Sequence, residues 1–159
     1  MEKKTFTASQ LLIALAIQYR GNWMKIMNAV SRHEEPDDAA LVQAVTGAQK
    51  AITLLDPEYP TILKSVLKPP FVLFYKGNIK LLKQKCMAVI GTRSPTAYGE
   101  KMTTQLVKDL TNNGYIIISG LGLGISTIAH KAAIQNKGKT IAVVGSGLDY
   151  YYPQSNKVL

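Results

Sequence analysis

Three short apolar runs, each followed by a loop rich in glycine or small polar residues, constrain the fold of this chain most strongly. The runs are residues 86–90, 115–118 and 140–144, and the loops that follow them start at Gly91, Ser119 and Gly145. Buried strands of parallel sheets are continuous apolar runs of this kind, and the intervals between the runs are long enough for crossover helices. Because βαβ units place the carboxyl ends of their strands at one edge, we expect the three loops to lie side by side.

Two amphipathic helices are predicted between these strands. The first spans residues 98–112, places Met102, Leu106 and Leu110 on one apolar stripe, and stops at an Asn-Gly pair. The second spans residues 126–136. Its predicted inward-facing residues are Ile128, Ala129, Ala132 and Ala133. This part of the chain is therefore predicted to be an α/β domain built on a parallel sheet.

Three helices are predicted in the N-terminal part of the chain. The first begins after Thr7 or Ser9, either of which can cap it, and the second covers residues 23–30. The third covers residues 38–54 and begins with acidic residues, which suit a helix N-terminus. These helices predict a small all-helical module.

The module is expected to end at a linker, residues 56–60, which contains two prolines. A strongly apolar strand follows at residues 71–75. We therefore predict two domains, residues 1–55 and residues 56–159. A doubly wound sheet usually continues beyond its third strand, so we expect the sheet of this chain to be incomplete at its C-terminal side.

Basic residues are concentrated in the second of these domains. The net charge is +9; residues 1–58 carry six Lys or Arg and seven Asp or Glu, whereas residues 59–159 carry thirteen and three. A one-sided positive field favours a polyanionic partner, most often nucleic acid. The alternative for the lysines alone is a solubilising surface, but the glycine loops in the same domain favour nucleic acid.

Two of the predicted loops carry groups that can bind phosphate. Arg93 follows the first strand, where a guanidinium can bind a phosphate through two parallel hydrogen bonds. The loop at residues 120–124 has glycine at alternate positions before a helix, so its amides can approach an anion closely. It is not a dinucleotide-binding motif, because Ile125 stands where that motif requires glycine, and the chain contains no P-loop sequence. The alternatives are a purely structural loop and a solvated surface arginine.

Other residues of this domain have weaker functional signals. His130 lies in a predicted helix without an acidic partner nearby, and we expect it on a helix face rather than acting as a base. Lys139 precedes the third strand, which places it at the opposite edge of the sheet. The tyrosines at residues 150–152 can stack on bases or on their own domain. We expect no catalytic residue, no metal site and no cofactor.

The sequence also bears on the compartment. The lone cysteine, Cys86, begins a predicted buried strand, which favours an inert thiol in a reducing compartment. No apolar stretch reaches the ~20 residues that span a bilayer, and no signal-peptide cleavage site is evident. We therefore expect a cytoplasmic protein without a membrane partner.

Several short segments occur together in one order. They are residues 59–63, 69–78, 88–93, 119–121, 147–149 and 152–153, and Asn156. In sequence and in order these segments resemble the DprA/Smf family of DNA-processing proteins. The resemblance covers residues 56–159, and the preceding module resembles the variable helical domain that often precedes the family's core.

The resemblance implies a Rossmann-like domain that binds single-stranded DNA without enzymatic chemistry, in natural transformation and in loading of the recombinase RecA. It implies that Arg93 contacts phosphate and that the glycine loop lines the same pocket. The implied DNA- and phosphate-binding residues are Gly91, Thr92, Arg93, Ser119, Gly120, Gly122 and Gly124. The family forms homodimers through the second half of the sheet, which this chain is expected to lack, so weak DNA binding and marginal stability are predicted in isolation.

The chain departs from the family at two positions, where Leu123 often stands as arginine and Ser126 usually as aspartate. The alternative function is a nucleotide-binding or nucleotide-hydrolysing enzyme of the lysine-decarboxylase-like Rossmann group, which has similar loops. Those enzymes need a glutamate after a Pro-Gly-Gly loop, and this chain has no glutamate after Glu100. A protein-binding remnant without DNA contact is a third hypothesis.

Overall fold

The structure is a computed structural model that describes residues 5–157 and residue 159. The chain divides into two compact units, Met1–Ile79 and Lys80–Leu159. We predicted a boundary after residue 55, whereas the first unit extends to residue 79. The difference arises because two strands, one before and one after the predicted linker, pair with each other and hold residues 50–75 within the first unit.

The first unit begins with three helices whose starts follow from their capping residues. Helix α1, Ala8–Gln18, begins after Thr7, which forms a capping box with Gln10. Helix α2, Trp23–Ser31, follows an Asn22 cap, and helix α3, Asp38–Thr46, follows an Asp37 cap. The predicted first and second helices are confirmed.

The third helix is shorter than predicted, and the module is not all-helical. Helix α3 ends before Gly47, whose backbone is extended, and Lys50–Thr53 forms strand β1 instead of helix. Strand β1 pairs antiparallel with strand β2, Val72–Tyr75, in a register that aligns Thr53 with Val72. The prediction failed because pairing with a distant strand outweighs the intrinsic helical propensity of these four residues.

A short helix, α4 (Thr61–Lys64), belongs to the segment of the chain that connects β1 to β2. These two strands and their connection are called the hairpin. The core of this unit consists of one face each of α1 and α2, against which Phe71 and Val72 pack. Its buried residues are Leu12, Leu15, Ala16, Ile26 and Ala29. Trp23 stacks on Phe71 with ring centroids 5.5 Å apart, and its indole Nε1 donates to the carbonyl oxygen of Pro69 at 2.9 Å.

The second unit contains the predicted parallel sheet. After a 3₁₀ turn, Ile79–Lys83, the strands are β3 (Cys86–Ala88), β4 (Ile116–Ser119) and β5 (Thr140–Ala142), in the order β3-β4-β5. Both pairings are parallel, and Ala88 aligns with Ile118 while Ile118 aligns with Ile141. Helices α5 (Ala97–Asn112) and α6 (Ile125–Gln135) connect consecutive strands. This Rossmann-like arrangement confirms the predicted α/β fold and places the three strand ends at one edge.

The core of this unit lies between the central strand and the two helices. It comprises Val89, Val107, Ile117, Ile125, Ala129, Ala132 and Ala133. The predicted inward face of α6 is confirmed for its three alanines, whereas Ile128 is only half-buried. Alanines there allow the close contact between α5 and α6.

The predicted inward stripe of α5 is wrong by one position along the helix. Met102 and Leu106 are 45% and 54% exposed, whereas Thr103 and Val107 are buried. A threonine is accommodated on the buried face because its hydroxyl donates to the carbonyl oxygen of Gly99 at 2.7 Å, so no polar atom is left unpaired. Leu110, the third predicted residue, does pack against the core.

Within the described residues, no helix combines the length and the apolar character that crossing a membrane requires.

Candidate functional site

The loops after β3 and β4 meet at the carboxyl edge of the sheet. The backbone amide of Ile125, the first residue of α6, donates to the carbonyl oxygen of Thr92 at 3.1 Å. A β-carbon at Gly91 would lie 2.6 Å from Cγ1 of Ile125, so only glycine allows this approach. The structure therefore brings Gly91, Thr92 and Arg93 against the glycine loop that precedes α6, as the sequence predicted.

Gly124 lies directly against the backbone of the loop that follows β3. Its φ is 73° and its ψ is −130°, and a β-carbon there would lie 2.6 Å from both the carbonyl carbon and the oxygen of Arg93. Glycine adopts a positive φ without steric cost, whereas residues with a β-carbon do not. This residue lets the chain turn into α6 while the neighbouring loop passes directly beside it.

At the start of α6 the amide of Ile125 is bound to Thr92, whereas, within the part of the chain that the structure describes, the amides of the preceding glycine loop are not bound. Gly124 occupies the cap position and supplies no side-chain hydrogen bond to the helix. Among the residues that the structure describes, the amides of residues 120–124 donate no backbone hydrogen bond. A helix N-terminus with unpaired amides carries a partial positive charge and suits an anion.

Side chains from α6 and from the C-terminal segment bind the carbonyl groups of the same loop. His130 lies with Nε2 2.8 Å from the oxygen of Gly120, and the hydroxyl of Thr127 donates to the oxygen of Gly122 at 2.8 Å. The amide nitrogen of Asn156 donates to the oxygen of Leu121 at 3.0 Å and to the hydroxyl of Thr127 at 2.7 Å. These hydrogen bonds fix the carbonyl groups of the glycine loop.

Ser119 takes a different role from the surface contact that the family resemblance implied. It is buried, and its hydroxyl donates to the carbonyl oxygen of Val89 at 2.6 Å. The hydroxyl therefore joins the ends of β3 and β4 inside the unit, and only the backbone beyond it reaches the edge.

A shallow depression of about 370 Å³ opens beside the loop. Arg93, Lys131 and Glu100 lie on its rim, and Leu123 and Ile128 contribute apolar surface. Arg93 is exposed, and within the described residues its guanidinium makes no hydrogen bond or ion pair. A free guanidinium beside unpaired amides is an arrangement that can bind an oxyanion.

The third loop also follows the same edge, because Ser119 aligns with Ala142 in the parallel register. The amide of Val143 donates to the oxygen of Ser119 at 2.9 Å, and the chain then continues into the tyrosine segment. Tyr150 and Tyr152 are 76% and 73% exposed. Lys139 precedes β5 and lies at the opposite end of the strand, as predicted.

His130 is buried, not exposed on a helix face. Nδ1 lies 2.7 Å from the hydroxyl oxygen of Thr140, so both ring nitrogens are engaged. Burial lowers the pKa of His130 below its ordinary value, and the hydrogen bond to Gly120 only partly opposes that effect. A buried neutral imidazole with two partners is a structural group rather than a base that a substrate can reach.

Sequence reasoning missed the contacts of His130 and Asn156. Asn156 is one of the positions that resemble the DprA/Smf family, but nothing in the sequence indicated that it contacts a loop more than 30 residues away. For His130 the sequence carried no such signal, because its partners are a backbone carbonyl and a threonine on other elements.

The sequence of this chain is similar to those of known proteins. The family model described as DNA recombination-mediator protein A matches residues 50–159. The DNA processing protein DprA of Streptococcus pneumoniae is 44% identical over 132 residues, which are 82% of this chain and 45% of that protein. The protein of the same name from Bacillus subtilis is 42% identical over 106 residues, 66% of this chain and 36% of that protein.

Solved structures are similar as well. The crystal structure of DprA from Streptococcus pneumoniae matches 96% of this chain and 58% of its own, with a TM-score of 0.71 and 36% identity. The DNA processing protein A of Helicobacter pylori, solved to describe its single-stranded DNA binding mode, matches 67% and 48%, with a TM-score of 0.59 and 36% identity. The chain spans less than half the length of both curated relatives. By the family match over most of its length, and by these identities, the chain belongs to the DNA recombination-mediator protein A family.

Proposed function

We propose that the loop edge of the parallel sheet binds single-stranded DNA through its phosphates. The observation that carries the proposal is the exposed, unpaired guanidinium of Arg93 beside a glycine loop whose amides have no acceptor among the described residues. A guanidinium binds a phosphate through two hydrogen bonds, and backbone amides at a helix N-terminus bind another of its oxygens. Gly120 and Gly122 leave the loop backbone open to the phosphate, and Gly91, Thr92 and Gly124 form the close contact that holds the two loops together.

The charge of the second unit supports a polyanion rather than a single small anion. Residues 80–159 carry ten Lys or Arg and three Asp or Glu. Lys131 lies on the same depression as Arg93. Displacement of counterions from successive phosphates then contributes to affinity, which makes binding sensitive to salt.

Exposed aromatic rings favour single strands over duplex. Tyr150 and Tyr152 follow the third loop at the same edge, and both rings are largely exposed. Unpaired bases can stack on such rings, whereas bases in a duplex are already stacked on each other. The Helicobacter pylori relative binds single-stranded DNA, which supports the same substrate class for this chain.

The role that we propose is DNA processing in natural transformation, together with the recombinase RecA, as the family membership suggests. We infer binding without chemistry. The candidate base, His130, is buried and bonded through both nitrogens, so it supports packing of the site rather than proton transfer. No observation on the described residues favours the nucleotide-hydrolase alternative.

The test is a titration of fluorescent single-stranded and double-stranded oligonucleotides at several salt concentrations, with the wild-type chain and two variants. Arg93→Ala removes the proposed phosphate contact. Lys139→Ala removes the same charge from the opposite edge of the sheet and serves as the matched control.

We expect the wild type to prefer the single strand. Arg93→Ala should weaken binding on the order of tenfold or more, and the slope of log K against log salt should become shallower by about one. Lys139→Ala should bind nearly as tightly as the wild type. Equal losses in the two variants would indicate nonspecific charge attraction and contradict the proposed site, as would binding that does not respond to salt.

A further inference from the structure

Three consecutive carbonyl groups of the glycine loop are bound by side chains from other parts of the unit. Gly120 is contacted by His130, Leu121 by Asn156, and Gly122 by Thr127. Asn156 also donates to the hydroxyl of Thr127, which leaves that hydroxyl's own proton for Gly122. The loop forms no such bond with its own backbone.

The direction of these carbonyl groups determines the direction of the loop amides. In a trans peptide the C=O of one residue and the N–H of the next point in opposite directions. Carbonyls of residues 120, 121 and 122 that point into the unit therefore turn the amides of residues 121, 122 and 123 outward. Those three amides have no acceptor among the described residues.

We propose that His130 and Asn156 are positioning residues that hold the amides of the glycine loop in the orientation for phosphate, without touching DNA themselves. This inference rests on the proposed function of the loop edge. Both residues are suited to this role, because His130 and Asn156 are only 2% and 3% exposed and direct their hydrogen bonds at the loop. The small exposed part of Asn156 contributes to the lining of the depression.

The chemistry of His130 specifies which nitrogen performs this role. A carbonyl oxygen only accepts, so Nε2 carries the proton that binds Gly120. Thr140 has one hydroxyl proton, which can go to Nδ1 of His130 or to the oxygen of Ile117, 2.9 Å away. The bond from Nε2 is therefore the one that orients the loop.

The experiment compares oligo(dT) affinities of variants over a range of salt, with dissociation constants corrected for the active protein fraction. Asn156→Ala removes the donor to Leu121. The matched control is Asn136→Ala, because Asn136 makes a similar set of side-chain bonds at the opposite end of α6, at 2.6 Å to Thr111 and 2.9 Å to Asn112.

Two substitutions at His130 separate its nitrogens. The amide nitrogen of glutamine can occupy the position of Nε2, and that of asparagine the position of Nδ1. His130→Gln should therefore retain the bond to Gly120, and His130→Asn should lose it.

We expect Asn156→Ala and His130→Asn to bind about tenfold more weakly, as for one lost orienting hydrogen bond. Their salt slope should equal that of the wild type, because neither substitution removes a positively charged phosphate contact. His130→Gln and Asn136→Ala should remain within about twofold of the wild type, although Asn136→Ala should unfold more easily. Folding of each variant is checked by far-ultraviolet circular dichroism.

Wild-type affinity in Asn156→Ala would overturn the positioning role. So would equal losses in Asn156→Ala and Asn136→Ala, equal losses in His130→Gln and His130→Asn, or a salt slope that changes by about one in Asn156→Ala. If the wild type shows no salt-sensitive binding, the proposed function itself fails. Wild-type binding with unaffected variants refutes the positioning role alone.

Discussion

The substitution Gly124→Ala tests the contact between the two loops most directly. Gly124 has a positive φ, and an added β-carbon would lie 2.6 Å from the carbonyl carbon and oxygen of Arg93. The methyl group would meet backbone atoms, which cannot rotate away as a flexible side chain can. Either α6 or the loop after β3 must then move.

Two terms contribute to the expected loss of stability. A residue with a β-carbon in a sparsely populated backbone region costs about 1–3 kcal/mol, and an extra carbon in a closely packed position costs a similar amount. Together they lower the free energy of unfolding by about 2–6 kcal/mol. That is a large fraction of the 5–15 kcal/mol by which a typical domain is stable, so part of the population is expected to unfold at modest urea concentration.

The assay is urea unfolding followed by far-ultraviolet circular dichroism, with Gly122→Ala as the control. Gly122 lies in the same loop, its φ is not in the left-handed region, and a β-carbon there would meet nothing within 4 Å. Gly122→Ala should leave stability unchanged or raise it by up to about 1 kcal/mol. If Gly124→Ala is as stable as Gly122→Ala, the two loops do not touch in the way described, and the geometry of the site is wrong.

Two further predictions concern the same unit. Gly91→Ala should lower the free energy of unfolding by about 1–3 kcal/mol, because the added β-carbon would meet the side chain of Ile125. A double-mutant cycle by urea unfolding should show that Ile125→Ala offsets part of that loss. Additive losses would contradict the contact between the two residues. Because burial lowers the pKa of His130 in the folded state, the unfolded state binds its proton at higher pH, so stability should fall as pH drops below the ordinary histidine value of 6.5. Urea unfolding at several pH values should show a weaker dependence of stability on pH in His130→Gln than in the wild type. An equal dependence in the two proteins would place the titration elsewhere.

The sheet could be predicted from the sequence because its signal is local. Residues of β3, β4 and β5 form continuous apolar runs, and buried parallel strands require them. Strand β1 could not be predicted, because its four residues become a strand only by pairing with β2 about 20 residues later. Prediction also failed for the buried face of α5. Thr103 is polar, and it can be buried because its hydroxyl donates to a backbone carbonyl, a bond that a hydrophobicity pattern does not reveal.

In the candidate site, too, local features could be predicted and contacts between distant residues could not. The position of Arg93 after a strand and the glycines before α6 are local patterns, and both lie where the sequence indicated. The contributions of His130 and Asn156 depend on hydrogen bonds to backbone carbonyls of a separate loop. Any residue type can supply a backbone carbonyl, so such partners leave no trace in the sequence.

The hairpin of β1 and β2 has a practical consequence for dissecting this protein. A fragment that starts at residue 56 would discard β1 and leave one side of Val72–Tyr75 without the strand that pairs with it. Exposed apolar strand edges of this kind recruit other chains and promote aggregation. Fragments should instead be divided near residue 79, the boundary of the two compact units, so that β1 stays with β2 and the parallel sheet stays whole.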